Sequence, residues 1–328
     1  MTGCVFVTGG AGYIGSHACK LLAQSGYMPV ALDNLATGWQ EAVKFGPFEQ
    51  VDLLDREALD AAFSHYAPEA VMHFAAFSDV GESARDPAKY WHNNVTGALT
   101  LLEAMREADC GSLVLSSTCA VYGNADGVLL NEEAPIRPLN AYGASKAAIE
   151  AMIADYAAAH GLSATVFRYF NVAGADPEGE VGEFHRPETH LVPRVLDAIA
   201  GAMPSLSIYG TDYDTPDGTC VRDYIHVTDL VEAHLLGLQS APGPGGVRTY
   251  NLGTGRGFSV REVIEAAMAV TGRDATIVEG PRRPGDAVSL VSGSTRAEAE
   301  LGWTPKRSKI ETMIEDAWRW HQGAGYSR

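Results

Sequence analysis

The chain has 328 residues, of which 46% are hydrophobic and 20% charged, the proportions of an ordinary globular protein. Its formal net charge of −17 at pH 7 argues against a broad basic surface, so we expect no binding to nucleic acid or to an anionic membrane. No apolar run approaches the roughly 18 residues of a membrane span, and no basic segment precedes the first apolar strand. We therefore expect a cytoplasmic protein.

Cysteine and histidine patterns give no strong signal for a metal. The cysteines are odd in number, never form C-x-x-C and are typical of thiols in a reducing compartment; they are Cys4, Cys19, Cys110, Cys119 and Cys220. Glu183, His185, Glu188 and His190 can be drawn as a metal cluster, but they lie in a polar loop around Pro187. We predict no metal site.

The first half of the chain alternates short apolar runs with amphipathic segments. We predict strands at residues 4–7, 30–33, 49–52, 70–74, 112–116 and 164–168, and helices that start at Ile14 and cover 56–66, 88–108 and 141–160. Strands that are apolar throughout and separated by helices predict a parallel sheet covered on both faces. The predicted fold class is therefore α/β, with a doubly wound, Rossmann-like sheet in residues 1–170.

The rhythm changes after Asn171. Proline, glycine and acidic residues cluster in 174–187, 210–218 and 241–246, and shorter helices are predicted at 191–202, 227–238, 260–271 and 309–320. We predict a smaller mixed α/β domain in residues 171–328, which lies over the strand ends and mainly binds the substrate.

A glycine pattern follows the first strand directly. Gly9, Gly12 and Gly15 form G-x-x-G-x-x-G at the start of a helix, and Asp33 ends the next strand. Glycines allow a tight turn and close approach of the backbone to a pyrophosphate, which the helix N-terminus then binds. Asp33 can accept hydrogen bonds from both ribose hydroxyls and would repel a 2′-phosphate. This context predicts NAD rather than NADP as the cofactor.

Two further features have more than one interpretation. Asp52, after the third strand, can meet the adenine amino group or belong to a helix cap with Asp55. Tyr142 is the only one of thirteen tyrosines followed by a lysine four residues later, so Tyr142 and Lys146 share a helix face. They are either a surface pair or a catalytic base with its cation. NAD nearby favours the second, with Thr118 orienting the reacting hydroxyl.

A tyrosine base needs help, because the pKa of a free phenol is about 10. Lowering that pKa by about three units requires about 4 kcal/mol of preference for the phenolate. Lys146 and the positive nicotinamide ring can supply this preference together.

These segments resemble the extended short-chain dehydrogenase family, and within it the nucleotide-sugar 4-epimerases. The resemblance covers nearly the whole chain and rests on residues 8–17, 32–35, 73–76, 80–83, 93–95, 116–123, 168–174, 217–226, 250–255 and 282–286. It implies reversible 4-epimerisation of UDP-glucose and UDP-galactose through a transient 4-keto sugar, with NAD bound tightly. It also implies a homodimer formed by the two helices that flank the strand 112–116.

The resemblance assigns the site residues. Tyr142 would be the base, Lys146 its cation and Thr118 the donor to the 4-oxygen. The remaining contacts to NAD are implied for Gly9, Gly12, Tyr13, Ile14, Gly15, Asp33, Asn34, Asp52, Leu53, Phe74, Ala75, Ala76, Asn93, Ser116 and Phe170. Substrate contacts are implied for Tyr169, Asn171, His190, Leu191, Tyr209, Arg222, Tyr224, Arg283, Asp286 and Leu290, besides Thr118 and Tyr142.

Within that set, Arg222 and Arg283 would bind the diphosphate, where bidentate geometry suits phosphate oxygens. Asn171 would bind the diphosphate or the sugar, and Asp286 the ribose hydroxyls of uridine. Leu290 falls at a position that gates the sugar 2-substituent, so we predict a preference for UDP-glucose and UDP-galactose over N-acetylated sugars.

Competing functions of this fold are open. The nucleotide-sugar 4,6-dehydratases carry Asp-Glu directly after the hydroxyl residue. In this chain Cys119 and Ala120 follow Thr118 instead. UDP-glucuronate decarboxylation and non-catalytic NAD sensing are two more functions that the fold allows. The chain also departs from some epimerases at Ser78-Asp79, where they carry a lysine, and at His190, where they carry asparagine.

Overall fold

The computed structural model describes residues 3–124, 128–283, 286–323 and 325–326, so Pro284 and Gly285 of the segment 282–286 lie outside the described residues. The strands are β1 (Cys4–Thr8), β2 (Met28–Asp33), β3 (Phe48–Gln50), β4 (Ala70–His73), β5 (Ser112–Ser116), β6 (Ser163–Tyr169), β7 (Asn171–Ala173), β8 (Leu206–Tyr209), β9 (Val221–His226), β10 (Val247–Leu252), β11 (Gly257–Ser259), β12 (Ile277–Gly280) and β13 (Ser289–Leu290). The helices are α1 (Tyr13–Gln24), α2 (Arg56–Tyr66), α3 (Val80–Arg85), α4 (Pro87–Tyr90), α5 (Gly97–Glu107), α6 (Ala141–His160), α7 (Leu191–Ile199), α8 (Val227–Gln239), α9 (Val260–Thr271), α10 (Arg296–Leu301) and α11 (Ile310–Gln322). In this described part of the chain, none of the helices combines the length and the apolar character needed to cross a bilayer.

The largest sheet has seven parallel strands in the order β10-β6-β5-β4-β1-β2-β3. Side chains of β1 alternate between its two faces, so Phe6 packs in one core with α2, α5 and α6. Val5 and Val7 pack on the other face with α1 and α8. The structure confirms the predicted α/β fold class with a doubly wound sheet. Strand order reverses between β1 and β4, and a crevice opens at the carboxyl ends of the strands at such a point.

The second half of the chain forms smaller sheets around a third core. β9 pairs with β7, β11 and β13, while β8 pairs with β12. Helices α7, α9 and α11 cover them, and Val195, Val263 and Met313 are fully buried between these elements. The chain also returns to the large sheet, because α8 packs on α1 and β10 extends β6 in parallel.

Several predicted elements have the observed bounds, among them α2, α6 and α9. The single helix predicted over residues 88–108 is wrong in detail. The chain forms α4, a π-helical segment (Trp91–Thr96) and α5 instead, and α3 was not predicted. The π-helical turn contains Asn94, whose buried amide contacts Phe77 N, Phe77 O and Ser145 Oγ at 2.9, 3.0 and 3.2 Å. Such turns are frequent at functional sites, and neighbouring Asn93 lines the cleft described next.

Candidate active site

A cleft of about 870 Å³ lies at the carboxyl ends of the parallel strands, between the large sheet and the second half of the chain. It brings together residues that are far apart in sequence. Its lining includes every site residue predicted above except Lys146, Tyr209 and Arg283. A concave space of this size, lined by both apolar and polar groups, is typical of a cofactor and substrate site.

The glycine pattern forms one wall of this cleft. Gly9 has a φ of +73°, and a Cβ there would lie 2.8 Å from Ala75 N, so both conformation and space require glycine. A Cβ on Gly15 would lie 2.1 Å from Gly9 O, which shows that Gly15 allows the helix to pack on the turn. Gly12 is the N-cap residue of α1 and lines the cleft, and it has no side chain that could bond to the first N–H groups of the helix. The first N–H groups of α1 are therefore suited to a diphosphate.

Asp33 ends β2 beside this turn. Its carboxylate accepts hydrogen bonds from Ala11 N at 3.0 Å and Leu35 N at 2.8 Å, which fixes its orientation in the cleft wall. Burial raises its pKa, and the two backbone donors oppose that rise. A carboxylate held there suits the hydroxyl groups of a ribose and disfavours a second anion.

Asp52 also lines the cleft, and its carboxylate accepts from Asn34 Nδ2 at 3.0 Å and from Leu54 N at 2.9 Å. The cap of α2 is Asp55, which accepts from Ala58 N at 3.1 Å. Capping of the helix therefore does not account for Asp52, and its adenine contact stays a prediction.

Tyr142 and Lys146 occupy the first turns of α6, which starts where Asn140 accepts from Gly143 N at 2.9 Å. Tyr142 and Thr118 both line the cleft. Lys146 is buried, and its ammonium donates to Ser116 O, 2.8 Å away at the end of β5. The pair is therefore not a surface pair, although Lys146 lies behind the cleft wall.

Electrostatics in the protein alone disfavour the phenolate. Burial raises the pKa of Tyr142 well above its ordinary value, the phenol of Tyr169 adds to this rise, and the side chain of Thr118 opposes it. Burial lowers the pKa of Lys146 to about 8, while the carboxylate of Glu150 opposes that change. For Tyr142 to act as a base, positive charge near the phenol must lower this pKa.

The opposite wall is assembled by strand pairing around β9. Arg222 and Tyr224 point from alternate positions of β9 to the cleft. The register places Leu290 of β13 beside Arg222, and Asn171 of β7 beside Tyr224. The buried carboxylate of Asp223 secures this region, since it accepts from backbone N–H groups of two loops.

Two predicted substrate residues do not belong to the cleft lining and contact each other. Arg283 stacks on Tyr209, with its guanidinium carbon 4.0 Å from the ring centroid, a cation–π contact. Their roles towards substrate stay predictions.

Several residues that line the cleft were missed or set aside by the sequence analysis. Lys89 places a cation in the wall near residues 78–79, with its Nζ 3.9 Å from the Phe77 centroid and 2.7 Å from Glu82. Glu183 and His185 also line the cleft, although we dismissed them with their loop. The spacing of glutamate and histidine in that loop was the available signal.

Strand order, glycine turn and a cleft with a Tyr–Lys pair define a class: Rossmann-fold proteins that bind a dinucleotide beside a second ligand. The chain belongs to the NAD dependent epimerase/dehydratase family, whose model matches residues 5–253. This confirms the resemblance drawn from the sequence motifs.

Individual relatives match over almost their entire length. A UDP-glucose 4-epimerase of Rhizobium meliloti is 46% identical, with 97% of this chain and 96% of the relative covered. The solved structure of the Brucella ovis UDP-glucose 4-epimerase in complex with NAD is 47% identical, with a TM-score of 0.93 and coverage of 97% and 98%. The Bifidobacterium longum UDP-glucose 4-epimerase in complex with NAD+ and UDP is 35% identical, with a TM-score of 0.93 and coverage of 97% and 98%.

Proposed function

We propose that this protein is an NAD-dependent isomerase that interconverts UDP-glucose and UDP-galactose by reversible 4-epimerisation. One observation carries this proposal: Tyr142 and Thr118 line the same cleft as the glycine turn and Arg222 of β9. Full-length similarity to UDP-glucose 4-epimerases supports it.

The residues present fit NAD as the resident cofactor. Gly12 leaves room at the N-terminus of α1 for a diphosphate, and Asp33 presents its carboxylate where a ribose would lie. When held by these residues, NAD would supply a reversible hydride acceptor for the sugar C4. Because the net redox change is zero, the cofactor would be retained between turnovers.

The chain's own groups would move the proton and hold the substrate. Tyr142 would take the proton of the 4-hydroxyl and give it back, while Thr118 orients the 4-oxygen. Buried Lys146 would favour the phenolate through its positive charge. Arg222 and Asn171 would hold the diphosphate, so that the 4-keto sugar can turn over without leaving.

The competing functions fit less well. Elimination by a 4,6-dehydratase needs another acid and base after the hydroxyl residue, and here Cys119 and Ala120 occupy those places. Burial raises the pKa of the Cys119 thiol to about 12, so it cannot serve as a ready base. A non-catalytic NAD sensor would not need Tyr142 in the cleft with Lys146 buried behind it.

The assembly and location are part of the proposal. We propose a cytoplasmic homodimer formed through α5 and α6. Trp91, in the π-helical segment before α5, and Leu99, in α5, are 43% and 41% exposed and support an apolar contact there. We also propose that residues 1–170 mainly bind NAD and residues 171–328 mainly bind the UDP-sugar. Light scattering of the purified protein tests the dimer.

The test of activity is incubation of purified protein with UDP-galactose and no added NAD. We expect UDP-glucose to form, as resolved by chromatography, without net NADH absorbance. Formation of a stable 4-keto-6-deoxy sugar, or no turnover at all, would contradict the proposal.

A further inference from the structure

A largely buried ion pair joins the helix of Tyr142 to the large sheet. Glu150 lies one turn beyond Lys146 on α6 and Arg168 belongs to β6, and their side chains are only 12% and 10% exposed. Arg168 Nε lies 3.0 and 3.1 Å from the two carboxylate oxygens, and Arg168 Nη2 donates to Glu150 Oε2 at 2.5 Å. Desolvation offsets most of the attraction in such a pair, so stability alone does not account for it.

The same carboxylate also binds the segment that carries Thr118. Ser117 Oγ donates to Glu150 Oε1 at 2.5 Å, and Ser117 N donates to Phe167 O of β6 at 2.8 Å. Ser117 is fully buried, so both of these donors are bonded inside the protein. The residue before Thr118 is therefore held by α6 and by β6 at once.

Lys146 binds the neighbouring position of the same segment. Its ammonium donates to Ser116 O at 2.8 Å, so two side chains one helical turn apart bind two consecutive residues. A Cβ on Gly143 would lie 2.5 Å from Ala120 O, so the first turn of α6 also packs directly on the residues after Thr118. The segment and the start of α6 thus form one packed unit.

Glu150 also differs in charge from the groups around it. Four titratable side chains of other elements interact with Lys146 or Tyr142, namely His73 of β4, Tyr90 of α4, Cys119 and Tyr169 of β6. Burial lowers the pKa of the imidazole to about 3, and it raises the pKa of the thiol and of both phenols, so all four are neutral near pH 7. Of the groups named here, Glu150 is therefore the anion that acts on the ammonium of Lys146.

We propose that Glu150 is a positioning residue for the groups that move the proton. Its carboxylate, clamped by Arg168, holds Ser117 and thereby fixes the hydroxyl of the next residue, Thr118. Its negative charge also keeps the ammonium of Lys146 charged, and a charged ammonium favours the phenolate of the base. This role rests on the proposed function and deepens it.

Removal of both charges together tests this role without leaving a buried charge unpaired. Glu150→Gln combined with Arg168→Met keeps similar side-chain volumes, so we expect the variant to fold, as circular dichroism can confirm. Turnover of UDP-galactose is then followed between about pH 6 and about pH 10. We expect kcat at pH 8 to fall by about 10-fold, with the KM for UDP-galactose and the NAD content unchanged. Because Lys146 would lose its proton more readily, the alkaline limb of kcat should move to lower pH.

Two single variants separate position from charge. Ser117→Ala removes one hydrogen bond to the carboxylate and leaves every charge in place, so kcat should fall by about 3- to 10-fold with the pH profile unchanged. Glu150→Asp keeps the negative charge on a shorter side chain, so the alkaline limb should stay at its wild-type position.

Asp316→Asn is the matched control, because it changes another buried carboxylate that is paired with an arginine but does not belong to the cleft lining. It should keep the wild-type kcat and pH profile. The inference is wrong if the double variant or Ser117→Ala turns over like the wild type, or if Asp316→Asn loses kcat equally. A wild-type protein without epimerase activity would instead contradict the proposed function itself.

Discussion

The two walls of the cleft are built in different ways. The wall around Gly9, Gly12 and Asp33 comes from one continuous β1-α1-β2 unit of about thirty residues. The wall around Arg222 is assembled from β7, β9 and β13 and from the loop before α7, and about 115 residues separate β7 from β13. A local motif therefore specifies the first wall, whereas strand register and loop packing specify the second.

This difference indicates that cofactor binding and substrate choice can change independently of each other. Contacts of the first wall depend on backbone geometry, which leaves little freedom for substitution at Gly9 or Gly15. Contacts of the second wall are side chains on short strands, such as Leu290, that can be replaced without altering the turn. We expect cofactor retention and substrate choice to respond to different substitutions.

The largest effect should come from Tyr142 in the cleft. Tyr142→Phe removes the hydroxyl that takes the proton, so we expect epimerisation to fall by about 100- to 10,000-fold while NAD stays bound. Turnover of UDP-galactose and cofactor released on denaturation measure the two properties. Tyr156→Phe, in the same helix but outside the cleft lining, is the control. Near-normal turnover by Tyr142→Phe would exclude it as the base.

Asp33→Ala and Arg222→Ala test the separation of the walls. Losing hydrogen bonds to a charged group costs about 1.5–3 kcal/mol, so each variant should weaken its own ligand by roughly 10- to 100-fold. Asp33→Ala should purify with less NAD, and Arg222→Ala should raise the KM for UDP-galactose with NAD content unchanged. If each variant weakened both ligands equally, the walls would not be independent.

Acid stability tests the scaffold behind the second wall. Burial disfavours the Asp316 carboxylate, but hydrogen bonds from His226 and Arg307 outweigh burial and lower its pKa from 3.8 to about 2. Its ionised form therefore stabilises the fold above about pH 4, and this contribution, about 2 kcal/mol, is lost as the pH falls through about 2. Urea unfolding at pH 3 and pH 6 measures the change.

In that comparison, Asp316→Asn should reduce the change in unfolding free energy between the two conditions by about 1 kcal/mol. Glu311→Gln, at an exposed position of the same helix, should retain it. An unchanged pH dependence in Asp316→Asn would show that other carboxylates govern acid unfolding.

The smallest effect concerns substrate choice. Leu290 is largely buried in the second wall, and Leu290→Ala enlarges the space there. We expect the ratio of turnover for UDP-N-acetylglucosamine over UDP-glucose to rise by about 10-fold. Val291→Ala changes the buried neighbour that does not belong to the cleft lining, and it should leave the ratio unchanged. Comparable turnover of both sugars by the wild-type protein would contradict the gating role.

The sequence predicted the first wall almost completely, because glycine spacing and hydrophobic period are local properties. Helix α6 and the cleft position of Tyr142 followed from the same local signals. The sequence also predicted one continuous helix over residues 88–108. The chain forms a π-helical turn there instead, because the tertiary contacts of the buried Asn94 amide override the hydrophobic period.

The second wall was less predictable for the same physical reason. Nothing in the local sequence indicates that Arg283 would stack on Tyr209. The spacing of glutamate and histidine in residues 183–190 suggested that these side chains cluster, but it did not show that they line the cleft. These contacts depend on how a long loop packs on Trp39 and Trp320, which no residue pattern encodes.

Strand β10 has a consequence for how the chain folds. It pairs with β6 along six residues, although about eighty residues separate the partners in sequence. During synthesis Phe167 would stay uncovered until α8 had left the ribosome. The edge of β6 would stay open until residue 252 had followed. A fragment ending at residue 170 should therefore aggregate when expressed alone, whereas a chain that includes β10 can close the sheet before that edge recruits a neighbour.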